Sequence, residues 1–302
     1  MSADAGKASL RPVVVFGAGG QIGRAVLLRG GALPAPLIGY TRAEADLRDL
    51  ARLRAVLRAT APGIVINAAG YTAVDRAESE PELAFAVNRD GADNLAVACA
   101  EIGAPLIHIS TNYVFDGRQP SAYSEHDRAA PVNVYGASER AGEERVRERL
   151  PRHVILRTSW VYGAHGTNFA TTILRLARER DELRVVDDQI GCPTPAAAIA
   201  DALLAIAGQI AGGAERWGIY HFCGAPVTSW CGFAGAIVAA AAAHLPRVPR
   251  VVPISTAQYQ TAATRPASSA LDCTKIATGF GLRQPDWRAT LPAIVAEICR
   301  GA

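Results

Sequence analysis

Residues 13–23 read VVVFGAGGQIG: four strand-forming apolar residues run directly into glycines at 17, 20 and 23, and the apolar run 22–28 follows. A buried strand that turns sharply into a helix needs glycine where the backbone turns, where it approaches a pyrophosphate, and where helix packs on strand. The helix N-terminus then carries the anion. Spacing alone is weak evidence, because glycine marks any tight turn. Placed between a first strand and a first helix, the string reads as a dinucleotide-binding turn, with Gly17, Gly20, Gln21, Ile22 and Gly23 as the expected cofactor contacts.

Working outward, residues 37–40 form a second strand that ends in Thr41 and Arg42 rather than in an acid. An acid there would bind the adenosine ribose hydroxyls, whereas an Arg accommodates a 2′-phosphate. NADP(H) is therefore the expected cofactor, with NAD(H) as the alternative. Asp46 and Leu47 are expected to open the next helix, which carries Leu50, Leu53, Val56 and Leu57 on one face. A third strand at 64–66 opens into NAAGYTAVDRAES, where the small residues Ala68, Ala69 and Gly70 let a ligand pass close to the backbone. Asp46, Leu47, Ala68, Ala69 and Tyr71 complete the expected cofactor set. A helix at 90–102, strands at 106–109 and 154–156, and a polar helix from Tyr135 to about Leu150 continue the alternation. That order predicts an α/β fold with a Rossmann-type, doubly wound parallel sheet.

After RTSWVYG (157–163) the chain changes character. Helices are expected at 168–180, 196–211, 233–243 and 291–299, with strands at 183–186 and 219–222. The proline-rich stretch 246–253 and the string ATRPASSALD read as loops capping a cleft. The expected division is a dinucleotide-binding unit, 1–158 continued by roughly 187–218, and a smaller, mainly C-terminal substrate unit from 159–186 and 219–302.

Composition narrows the class. A chain of 302 residues with a fifth of them charged and a formal net charge of +3 argues for neither nucleic acid nor membrane as partner. Its six cysteines show no CxxC pair and no metal-ligand spacing, so no metal is expected. The N-terminus lacks the apolar core of a signal sequence, and a cytoplasmic location is expected. Lys7 and Lys275 are the only lysines.

The chemistry concentrates in 110–144, STNYVFDGRQPSAYSEHDRAAPVNVYGASERAGEE. A strand ends in Ser110 and Thr111, and Tyr135 opens a helix. A phenol held beside a hydroxyl and facing a ligand is a proton donor to a carbonyl oxygen. At i+4 on the same helix face stands Glu139.

Together GAGGQIG, INAAGYTAVDRAES, STNYVFDG, NVYGASERAGE, RTSWVYG, DQIGCPT and RPASSALD resemble, in order and across nearly the whole chain, the dTDP-4-dehydrorhamnose reductases of the extended short-chain dehydrogenases. The resemblance implies NAD(P)H-dependent reduction of the C4 ketone of dTDP-4-dehydro-6-deoxy-L-mannose to dTDP-L-rhamnose. It assigns Tyr135 as proton donor and Thr111 as its hydroxyl partner. It places Thr111, Asn112, Trp160 and Arg265 against the substrate, and a homodimer is the assembly considered. Two positions depart from the family pattern: Asn112 replaces an Asp, and Glu139 replaces the Lys of Tyr-x-x-x-Lys. Read as a carboxylate about 5 Å from the phenol, Glu139 in place of Lys costs roughly 6 kcal/mol of phenolate stabilisation at an effective dielectric near 20. A protonated Glu139, or help from the neighbouring Arg140, shrinks that cost. Two alternatives stand beside the reductase: a non-catalytic NADP-binding regulatory subunit of the same fold, and a reductase or epimerase of another nucleotide sugar.

Overall fold

The computed structural model describes residues 11–301. Its elements are β1 (Val13–Phe16), α1 (Gln21–Leu28), β2 (Leu37–Tyr40), α2 (Leu50–Thr60), β3 (Ile64–Asn67), α3 (Val74–Ala77), α4 (Pro81–Phe85), α5 (Gly91–Ile102), β4 (Leu106–Thr111), α6 (Val134–Arg149) and β5 (His153–Thr158). Then come β6 (Val161–Tyr162), α7 (Phe169–Glu179), β7 (Glu182–Val186), β8 (Ile190–Gly191), β9 (Thr194–Pro195), α8 (Ala196–Ala211) and β10 (Gly218–His221). The chain closes with β11 (Thr228–Ser229), α9 (Trp230–Ala240), β12 (Arg250–Ile254), α10 (Thr274–Phe280) and α11 (Trp287–Arg300).

The central sheet has six strands in the order β10-β5-β4-β3-β1-β2, all parallel. Successive strand side chains point to opposite faces, and here both faces are covered, so the strands are mostly apolar, with polar residues gathered toward the carboxyl ends of β4 and β5. Val13, Val15, Ile64 and Ile66 pack with α8, while Val14, Phe16 and Val65 pack with α2 and α5. Strand order reverses between β1 and β3, and ligands of such sheets bind beyond the carboxyl ends of the strands at that point. A third core, with Tyr162, Phe233 and Trp287, joins α7, α9 and α11. Among the described residues no helix is long and apolar enough to cross a membrane.

Several sequence expectations are corrected. Asp46 and Leu47 do not open a helix; α2 begins at Leu50, capped by Asp49 accepting from the Arg52 amide at 2.9 Å. Asp46 is held in the preceding turn by Arg48, and Leu47 is drawn into the core. The helix expected from 90 is preceded by α4 and a π-helical turn at Ala86–Asp90, which carries straight into α5. The stretch expected as a proline-rich loop contains β12, which pairs in parallel with β7. Its Pro253 is tolerated because the strand has a partner on one side alone. The boundary expected at 218/219 cuts through β10, the sixth strand of the main sheet. The α10 residues Ile276 and Phe280 also pack into the Rossmann core.

Candidate active site

A cleft of about 700 Å³ runs from the glycine turn after β1, past the ends of β4 and β5, to the third core around α7 and α9. At its first end Gly17 has φ +82°, and a Cβ there would fall 2.5 Å from the backbone of Ala68 and Ala69. A Cβ on Gly23 would lie 2.1 Å from the Gly17 carbonyl oxygen. Glycine is thus required for the turn to close onto the β3 loop and for α1 to close onto the turn. Gly20 caps α1 without a side-chain bond, and the first helical turn holds no acid. Gly20, Gln21, Ile22, Ala68 and Ala69 line the cleft. Free helical amides facing a groove with no competing carboxylate fit the pyrophosphate of a dinucleotide.

Other expected cofactor residues sit farther out. Arg42 is largely exposed at the end of β2, 3.4 Å from Asp46, whose carboxyl is held well below the usual range chiefly by Arg48. Leu47 is core. The Tyr71 hydroxyl donates to Glu80 at 2.7 Å, while its backbone exchanges two hydrogen bonds with the Asn88 side chain.

Midway along the cleft stand Thr111, Tyr135 and Glu139, all buried. Asn133 caps α6 by accepting from the Gly136 amide at 2.7 Å. A Cβ on Gly136 would fall 2.1 Å from the Tyr113 carbonyl oxygen, so the first turn of α6 lies directly on the segment after β4. Tyr113 meets Tyr135 edge-on, with ring centroids 5.9 Å apart. Burial raises the Tyr135 phenol well above its ordinary value; Glu139 adds to the rise and the Thr111 hydroxyl opposes it.

Of the two states of Glu139 open in the sequence, carboxylate or protonated acid, the fold favours the acid. Burial first, then repulsion from Glu143, raises it to about 8, and Tyr135 offsets part of the rise. It is neutral at pH 7, and the reversal of charge expected beside the phenol is absent. Arg140 offers no compensation: it turns outward to Glu144, 3.0 Å away, and to the Ala129 carbonyl. Lys275 donates to the Ile219 carbonyl and covers Tyr220, and Lys7 lies outside the described residues.

Beneath Glu139 runs a network that the sequence reading missed. Arg157 forms a two-pronged ion pair with Glu143, at 2.8 and 2.6 Å, and Ser110 donates to the same carboxylate at 2.6 Å. All three side chains are buried. A charged residue at i+4 from Glu139, on the face that carries Tyr135, was the available signal. Thr158, paired in register with Thr111, has a buried hydroxyl oxygen with no hydrogen-bond partner and lines the same cleft.

Toward the other end of the cleft, Asn112 donates to the Ser269 carbonyl at 3.1 Å and accepts from Thr111 at 3.3 Å. An Asp there cannot donate to that carbonyl, so this chain's Asn belongs to its local bonding. Trp160 adopts a left-handed backbone, φ 44°, and stacks on Trp230 with centroids 3.4 Å apart. A Cβ on Gly191 would strike the Trp160 ring at 2.4 Å, so the indole is clamped from both sides. Arg265 pairs with Asp75 at 2.6 and 3.1 Å and faces the cleft beside Tyr113. Arg180 and Arg184, not anticipated, bring two exposed cations to the same end.

The model of the RmlD substrate binding domain family matches residues 11–300. A dTDP-4-dehydrorhamnose reductase of Sinorhizobium fredii is 44% identical over 286 residues, covering 94% of this chain and 96% of the relative. Two solved structures are also similar. A dTDP-4-dehydrorhamnose reductase of Clostridium acetobutylicum superimposes with a TM-score of 0.88 at 30% identity, covering 94% of this chain and 98% of that one. The enzyme of that name from Bacillus anthracis, solved in complex with NADP, gives 0.87 at 36% identity, covering 95% and 99%.

Proposed function

Since this chain belongs to the dTDP-4-dehydrorhamnose reductase family, we propose that it reduces the C4 ketone of dTDP-4-dehydro-6-deoxy-L-mannose to dTDP-L-rhamnose with NADPH. The observation that carries the reading is one continuous cleft with a glycine turn at one end, a buried Thr111–Tyr135 pair midway and Trp160, Arg184 and Arg265 at the other. When bound, the nicotinamide supplies hydride to the sugar carbon. Gly20, Gln21 and Ile22 hold the pyrophosphate, Arg42 meets the 2′-phosphate, and the unpartnered Thr158 hydroxyl faces the nicotinamide end. Tyr135 protonates the carbonyl oxygen, and Thr111 stabilises the phenolate that results. Trp160 walls the sugar, and Arg265, held by Asp75, borders it beside Tyr113. Segments 159–186 and the C-terminal part of the chain form the sugar side.

All six cysteines are free, which suits a reducing cytoplasm. Light scattering decides between monomer and homodimer.

The test is NADPH oxidation by the pure protein with the dTDP-4-keto sugar, and with a UDP-4-keto sugar as control. Turnover of the dTDP substrate, lost in Tyr135→Phe, is expected. Binding of NADPH and dTDP without turnover would favour a regulatory subunit, and preference for the UDP sugar would move the protein to another pathway.

A further inference from the structure

The position where the family pattern has Lys holds a buried carboxyl, and its surroundings are specific. On its own helix Glu139 faces Tyr135 and Glu143, and Arg140 is engaged by Glu144. From β4 come the hydroxyls of Ser110 and Thr111 and the ring of His108, which burial keeps neutral by lowering it to about 4. From β5 comes Arg157, fully engaged by Glu143, and from β10 His221, lowered to about 3. From the β3 loop and the π turn come Gly70 and Asn88, both uncharged, with a Cβ built on Gly70 lying 3.6 Å from the Glu139 carboxyl. Tyr71 and Glu80 bond each other, and Arg89 is engaged by Asp90. Every cation near Glu139 is therefore committed to another acid. Of the two acids on this helix face, Glu143 holds the ion pair, while Glu139 is buried without a cation one helical turn from Tyr135, both lining the cleft.

Resting on Tyr135 as the donor, we propose that Glu139 works as a protonated acid: as Tyr135 gives its proton to the substrate oxygen, Glu139 passes its own proton to the Tyr135 oxygen and is left as carboxylate. The balance is simple. The substrate carbonyl gains hydride at carbon and the Tyr135 proton at oxygen; the Tyr135 O–H bond breaks and is remade as the Glu139 O–H bond breaks. Solvent reprotonates Glu139 through the open cleft. The direction is downhill, because Glu139 near 8 is a stronger acid than the buried phenol. A carboxyl kept neutral by an apolar site is an effective donor at neutral pH. A Lys supports a phenolate by charge, whereas this chain supports it by handing over a proton.

The role separates from simple packing by its pH dependence. The active form is protonated, so kcat/KM is present below about pH 8 and declines as pH rises through that value. About a tenfold loss between pH 7 and pH 9 is expected for the parent. Glu139→Gln keeps the shape but has no acidic proton, and is expected to lower kcat about tenfold or more and to lose that limb. Glu139→Lys stays charged to higher pH and is expected to exceed the parent at pH 9. Infrared spectroscopy of the free protein reads the state directly: a carboxylic-acid C=O band at pH 7, gone at pH 9.5 and missing from Glu139→Gln. A parent that reduces the ketone at a rate flat from pH 7 to 9, or that lacks the infrared band, overturns the proton relay while leaving the reductase reading intact. A parent that binds NADPH but never turns over overturns both.

Discussion

At the scale of single residues, what a side chain is and what state it occupies come from different sources. Asn112 illustrates the first. Its amide nitrogen is committed to the Ser269 carbonyl, so restoring the family's Asp sets a carboxylate against a carbonyl oxygen in a buried site. Asn112→Asp should cost about 2 kcal/mol of stability, read from urea denaturation. Arg42 tests the cofactor. Mostly exposed and only loosely tied to Asp46, its guanidinium is free to meet a phosphate. Arg42→Ala should weaken NADPH by about tenfold and leave NADH unchanged, the loss of one exposed charge-assisted contact; equal weakening of both would remove the 2′-phosphate role. Glu139 illustrates the second. Its place four residues after Tyr135 is legible in sequence, whereas protonated acid and carboxylate stay open there. Protonation follows from burial, from the distance to Glu143 and from the prior claim of Glu143 on Arg157, and only the fold brings those together.

At the scale of elements, legibility followed the strength of the periodic signal. The run AAAIADALLAIAGQIA, 196–211, forms α8 over that whole span, because an alanine- and leucine-rich segment behind a proline has no competing conformation. The strands of the main sheet were likewise legible, being short apolar runs bounded by turn residues. β12 was not, since Pro253 within it and Pro246 and Pro249 before it speak against a strand, and its one neighbour, β7, lies more than sixty residues away in sequence. The two glycines that seat α6 were equally silent. A Cβ on Gly142 would fall 2.1 Å from the Asn88 carbonyl oxygen, and one on Gly136 as close to that of Tyr113. Gly136→Ala should therefore tilt the first turn of α6 and lower kcat at least tenfold, roughly 1.4 kcal/mol in barrier, through misplacement of Tyr135. The control is Gly235→Ala in α9, where a Cβ meets nothing within 4 Å. There the melting temperature should rise, by about 0.5–1 kcal/mol of added stability, since alanine restricts the unfolded chain more than glycine. A fall at Gly235 would show that a Cβ is crowded there as well, and that the close approach at Gly136 is not what sets the two sites apart.

At the scale of the whole molecule, the buried acid ties folding to pH. Glu139 titrates near 8 in the folded chain and near 4.5 in the unfolded one, so the folded state holds its proton more tightly. Its contribution is fully present below about pH 4.5 and is lost as pH rises toward 8, a change of about 5 kcal/mol. Glu139→Gln should remove that slope, making the variant relatively more stable above pH 8; identical pH–stability curves would show that the carboxyl is solvated in solution. The stacked pair Trp160–Trp230 carries a different consequence. Two indoles whose planes lie 6° apart at 3.4 Å couple as a single chromophore, whereas Trp217 lies under Arg152 and Trp287 lies buried against Phe233. Their electronic transitions should split into an exciton couplet in circular dichroism, which Trp230→Phe abolishes. Because the pair lines the end of the cleft proposed for the sugar, the couplet should change sign or amplitude when a nucleotide sugar enters and stay constant when NADPH alone binds, making the protein an optical sensor for its proposed substrate.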